Sequence, residues 1–160
     1  MMQYLIKNKL FFVYLFILIF YSVGVIGISN NDLRSSFLPL SWVILFLSFL
    51  AVVYTAETKG KSFYFFILIC YFISMLTEAI GVNTGLLFGT YQYGANLGFK
   101  IFGVPLIIGV NWTVLIISTA AFFNKLKNFW LRVILSALLM VGIDFLMEPV
   151  AIKMDFWLWD

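Results

Sequence analysis

The chain contains no histidine and one cysteine, Cys70. Without histidine there is no Ser–His–Asp triad, no imidazole acid or base, and no histidine metal site. A single cysteine makes no intrachain disulfide and no zinc knuckle. Cys70 sits in an apolar run and reads as a small buried hydrophobe. Charge is scarce as well. Charged residues make up 11% of the chain, against about 25% in a soluble domain. Such a chain cannot clothe a water-facing surface, and it is too apolar to be disordered. The excess of ten Lys/Arg over seven Asp/Glu sets orientation in a bilayer and is not read as nucleic-acid binding. No metal and no cofactor are expected. Chemistry is left to carboxylates, hydroxyls, amides, aromatic rings and backbone.

What is present is apolar. Hydrophobic residues make up 64% of 160, and mean hydropathy is +1.07. Four runs, 10–29, 37–56, 62–80 and 101–123, are long enough to span a core of about 30 Å. A fifth, 130–148, carries polar groups near its end. Lys7 and Lys9 precede the first run as in a signal peptide. That run is too long for one and lacks a small-x-small cleavage site, so it reads as an uncleaved helix. Pro149 disfavours helical geometry at Glu148, so the fifth helix is expected to stop there. The expectation is an all-α, polytopic transmembrane bundle of about five helices, a single integral membrane domain over 1–160.

Lys7, Lys9, Lys59, Lys61, Lys125, Lys127 and Arg132 collect on one side of that bundle; Arg34, Lys100 and Lys153 collect on the other. The asymmetry predicts a cytoplasmic N-terminus and a C-terminus on the outer side. Residues 81–100, GVNTGLLFGTYQYGANLGFK, differ from the rest. They hold five of the eleven glycines, together with Asn83, Tyr91 and Tyr93. Gly81, Gly85 and Gly89 are four apart, so a glycine-faced helix is one reading. The reading preferred here is a folded Gly-rich loop between the third and fourth helices, dipping into the bundle mouth.

Of the acids, Asp32 and Glu57 lie in polar linkers, and Asp160 is the last residue. Glu78 lies two residues before the end of the third helix. Asp144 and Glu148 are one turn apart on the fifth and share a face. Topology brings Glu78, Asp144, Glu148 and the loop to one membrane boundary. Intramembrane carboxylates are costly and point to function; Glu78 and Glu148 can also simply reach headgroup water. Tyr91, Tyr93 and Asn83 are expected to turn their polar tips to the mouth, positioning water or pairing with Glu78; an interfacial aromatic belt is the alternative. Asn111 and Trp112 lie near the middle of the fourth helix, where an Asn usually bonds to a neighbouring helix. Trp157 and Trp159 read as interfacial anchors. Aromatics reach 20%, a lining that suits a long polyene or a carbocation.

Residues 77–112, TEAIGVNTGLLFGTYQYGANLGFKIFGVPLIIGVNW, and 142–159, GIDFLMEPVAIKMDFWLW, resemble the membrane-embedded carotenoid biosynthesis proteins. The motifs are an E-x-x-G-x-x-T-G-x-x-F-G-x-Y-x-Y block, a G-V-P-L block and a D-x-x-M-[DE]-P block. The family includes bisanhydrobacterioruberin hydratase-like enzymes, which add water to the terminal double bond of acyclic carotenoid ends. Its members continue past the aromatic end with at least one more helix, so the resemblance implies further helices after Asp160. It also implies a hydro-lyase of a bacterial or archaeal cytoplasmic membrane, with the lipid bilayer and a long polyene as partners. The acids fit that chemistry. Hydration puts a proton on one alkene carbon, leaves a tertiary cation on the other, then adds water. Glu78, Asp144 and Glu148 are the candidate catalytic groups, with deeper Asp144 as proton carrier; Asn83, Tyr91, Tyr93, Asn111 and Trp112 are candidate substrate contacts. A carotenoid end-group cyclase or isomerase would use the same acids without water. A non-enzymatic transporter or structural subunit would use them for ions or helix pairing.

Overall fold

The computed structural model describes residues 2–57 and 59–160; the side chains of residues 2–9, those of Lys7 and Lys9 among them, lie outside the described part. The chain folds as a helical bundle. Helix α1 spans Met2–Ser29, α2 Asn31–Phe37, α3 Ser41–Thr55, α4 Lys61–Thr84, α5 Leu106–Phe122 and α6 Phe129–Lys153. Short strands β1 (Tyr91–Tyr93), β2 (Lys100–Ile101), β3 (Val104–Pro105) and β4 (Trp157–Trp159) complete it. Leu10–Ser29, Asn31–Thr55, Lys61–Thr84 and Phe129–Lys153 are long and apolar enough to cross a membrane.

Local signals set the ends. The Asn30 side chain accepts from Asp32 N–H at 2.8 Å and caps α2. The second span therefore begins earlier than residue 37, and Pro39 sits in a 3₁₀ turn between α2 and α3, where its missing N–H costs little. The Asn128 side chain caps α6 through Leu131 N–H at 3.0 Å.

The other boundaries also shift from expectation. Helix α4 runs on past Ile80 to Thr84, so Gly81 and Asn83 are helical; Gly85, at φ 67°, ends it. No α-helix forms over 85–105, where the one helical piece is a 3₁₀ turn at Ala95–Leu97, and this rules out the glycine-faced alternative there. The fourth run yields only 17 helical residues. Its first part turns instead as a β2–β3 hairpin, pairing Lys100 with Pro105 and Ile101 with Val104. Phe102 and Gly103 both have positive φ, 51° and 81°, as a tight hairpin turn requires. Helix α6 does not stop at Glu148: it carries Pro149 inside and ends at Lys153. The bias before proline yields to a stronger stop farther on. Phe156 N–H reaches Ala151 C=O at 2.9 Å and Asp155 N–H reaches Ile152 C=O at 3.2 Å. With Asp155 at φ 54°, this is a Schellman closure.

Helix α5 is central, packing on α3, α4 and α6. The buried core, however, lies at one end of the bundle. Tyr91, Tyr93, Leu97, Val104, Ile107 and Ile108 form it, flanked by Met75, Val82 and Trp157. Helix faces turned to lipid gain little from burial, whereas the loop buries Tyr91, Tyr93 and Leu97. Those three loop residues join the start of α5 in the core, and the loop and the tail after α6 frame the site.

Candidate active site

Glu78 lies near the end of α4 and is only 5% exposed. Its Oε2 accepts from the Tyr91 hydroxyl at 2.5 Å and the Tyr93 hydroxyl at 2.8 Å. Its Oε1 accepts from Trp112 Nε1 at 2.8 Å. Three donors from two elements therefore hold one carboxylate. The Y-x-Y spacing does this work. In a strand, alternate side chains share a face, so both phenols of β1 point to Glu78 while Gln92 points away. Burial first, and then the Glu78 carboxylate, push both phenols well above the ordinary tyrosine range. They stay protonated and serve as donors.

The same alternation repeats in the tail. β4 pairs antiparallel with β1, Tyr91 opposite Trp159 and Tyr93 opposite Trp157. The two rings in each pair are in contact, with centroids 5.0 Å and 6.2 Å apart. Both indole N–H groups donate to Glu148 Oε1, that of Trp157 at 3.1 Å. Trp157 and Trp159 are thus not simple membrane anchors. They line the site and hold its second glutamate, and their W-x-W spacing, matching Y-x-Y, was the available signal. Gly94 N–H donates to Phe156 C=O at 2.9 Å, and Asp160 N–H to Thr90 C=O at 3.0 Å. These bonds dock the tail on the loop.

Between these walls lies a cavity of ≈ 430 Å³. Glu78, Asp144, Glu148, Tyr91, Tyr93, Asn111 and Trp112 all line it, joined by Phe88, Trp157 and Trp159. Asp144 borders it from α6, one turn before Glu148. Among the described residues its carboxyl makes no hydrogen bond, nor does the Asn111 amide, so the expected interhelical bond of Asn111 is not formed. Asn83 is placed differently from expectation. Its amide donates to Ala79 C=O at 2.7 Å and to Phe102 C=O at 2.9 Å. It pins the β2–β3 turn to α4 and does not line the cavity, because on a helix its position faces the hairpin and not Glu78. No cluster of potential metal ligands occurs among the described residues.

The arrangement offers one unengaged carboxyl, two carboxylates held by donors, a free amide and six aromatic faces around an otherwise apolar space. A family model described as carotenoid biosynthesis protein matches residues 37–160. No curated protein and no solved structure matches the chain.

Proposed function

The chain belongs to the carotenoid biosynthesis protein family, and from that premise we propose that it adds water to the terminal double bond of an acyclic carotenoid end. The observation that carries the proposal is the division of labour among three carboxyl groups on one cavity. Glu78 and Glu148 are fixed as acceptors by phenol and indole donors, and Asp144 between them is free.

In this reading Asp144 transfers its proton to the less substituted alkene carbon. The neighbouring carbon becomes a tertiary cation. The Glu78 and Glu148 carboxylates and the faces of Trp112, Trp157 and Trp159 stabilise it, since fixed charges and rings act strongly where water is scarce. Water then bonds to the cation, positioned by the free Asn111 amide, and its spare proton returns to Asp144. One water is gained and the site is restored. A carboxylic acid is a weak acid for an alkene, so most of the acceleration falls on stabilising the cation. Tyr91 and Tyr93 act as positioning residues through Glu78, and Asn83 has only a structural part.

We place the N-terminus on the cytoplasmic side of a bacterial or archaeal membrane, supported by the charge asymmetry along the sequence. The cavity then sits at the outer boundary, where water enters. The test is expression in cells that accumulate an acyclic carotenoid, followed by mass analysis of the pigments. Gain of one water per modified end supports hydration. An unchanged mass with a changed spectrum means cyclisation or isomerisation. Unaltered pigments overturn both.

A further inference from the structure

We infer that the cavity takes its ligand lengthwise, as a slender hydrocarbon lying in the groove between α5 and α6, and that Ala137 at the deep end sets what can pass. The choice of a linear polyene rests on the carotenoid reading above; the path itself does not depend on hydration. The lining residues form a stripe on each helix. On α5 they are Ile108, Asn111, Trp112 and Leu115, and on α6 they run from Ala137 through Val141 and Asp144 to Glu148. These spacings mark one face of each helix. Ala137 and Glu148 bracket about 16 Å of helix, a length that a few isoprene units fill.

Polarity changes along that length. The carboxyl groups, phenols, indoles and the Asn111 amide all lie toward the loop end. The deep end is Leu115, Ala137, Met140 and Val141. A ligand matching this gradient has a reactive end and a plain hydrocarbon shaft. The deep end is also open, since the lining residue Val141 is 66% exposed. A chain longer than the groove can therefore leave it sideways between the helices. Ala137 is the smallest side chain on the path, so added bulk there closes the exit while leaving the acids untouched.

The test uses the full chain, with Trp42 and Trp130 replaced by Phe, in lipid nanodiscs with a linear acyclic carotenoid, read by quenching of tryptophan fluorescence from Trp112, Trp157 and Trp159. Ala137→Phe is expected to weaken polyene binding by roughly tenfold. Leu138→Phe, the same bulk one position on at a residue 61% exposed and outside the groove, should leave binding within about twofold. Val141→Phe repeats the block should Ala137→Phe insert poorly. Binding unchanged in both blocking variants, or equally weakened by Leu138→Phe, overturns the path. So does an unblocked chain that the polyene does not quench. Polyene binding that Ala137→Phe blocks, with no water added in cells, leaves the path standing and removes only the hydration chemistry.

Discussion

At the scale of residues, Glu78 and Asp144 differ in what surrounds them, so their amide variants should separate. Asp144 has no hydrogen-bonding partner among the described residues and is not buried by protein. Asp144→Asn is expected to leave stability within about 0.5 kcal/mol and to slow product formation by roughly 10²–10⁴-fold. Unfolding in micelles and pigment analysis at equal protein level check the two halves. Glu78→Gln turns an amide N–H₂ toward donors, leaving a buried donor unmatched. It should lower stability by about 1–3 kcal/mol as well as activity. Near wild-type hydration by Asp144→Asn would remove that residue from the mechanism. The tyrosines supply a pH signature. Their phenols sit above the free value of about 10 because of burial and the Glu78 charge. Their contribution to stability is present in full below that pH. It is lost as pH climbs past it, because the unfolded chain releases protons that the folded chain keeps. Wild type should therefore lose more stability than Tyr93→Phe between about pH 9 and about pH 11; parallel losses would contradict the assignment.

At the scale of elements, the loop and the tail stand or fall together. The β1–β4 pair orients four aromatic rings, and it depends on close backbone approach at Gly94. A Cβ there would lie 1.9 Å from the Asp155 carbonyl oxygen. Gly94→Ala must push the tail away and free both indoles from Glu148. Expected are a red-shifted tryptophan emission and loss of product. Gly142, within α6, is the matched control, since nothing lies within 4 Å of an added Cβ. Gly142→Ala should be neutral or more stable by up to about 1 kcal/mol. Equal behaviour of the two alanine variants would show that tail docking is not what matters at Gly94.

At the scale of the whole molecule, charge and topology govern where the site lies. The loop, the end of α4 and the end of α6 meet at one end of the bundle. With a cytoplasmic N-terminus that end faces outward. A reporter fused after Asp160 should read the outer side. Shifting lysines from the 59–61 and 125–127 linkers to the opposite loops should invert part of the population. A cytoplasmic signal from the wild-type fusion would place the carboxyl cluster on the inner boundary.

Some of this protein could be read from the chain alone. Run lengths and the dearth of charge require a helical membrane bundle, because a bilayer demands long apolar helices and little else of each residue. The i, i+4 spacing of Asp144 and Glu148 and the shared boundary with Glu78 follow from helix period and helix count. Helix ends were less legible. Pro149 reads as a stop, yet the Schellman closure at Asp155 lies farther on, and it depends on backbone bonds that no local motif announces. Asn83 looks like a site residue until the β2–β3 turn arrives to take its amide. The tryptophans of β4 look like anchors until β1 supplies a strand to pair with. Only the tertiary structure decided which acids are engaged and which is free, because donors on the loop and the tail reach them across more than one element. Composition sets the medium and the scaffold. The state of each carboxyl is set by what the fold brings beside it.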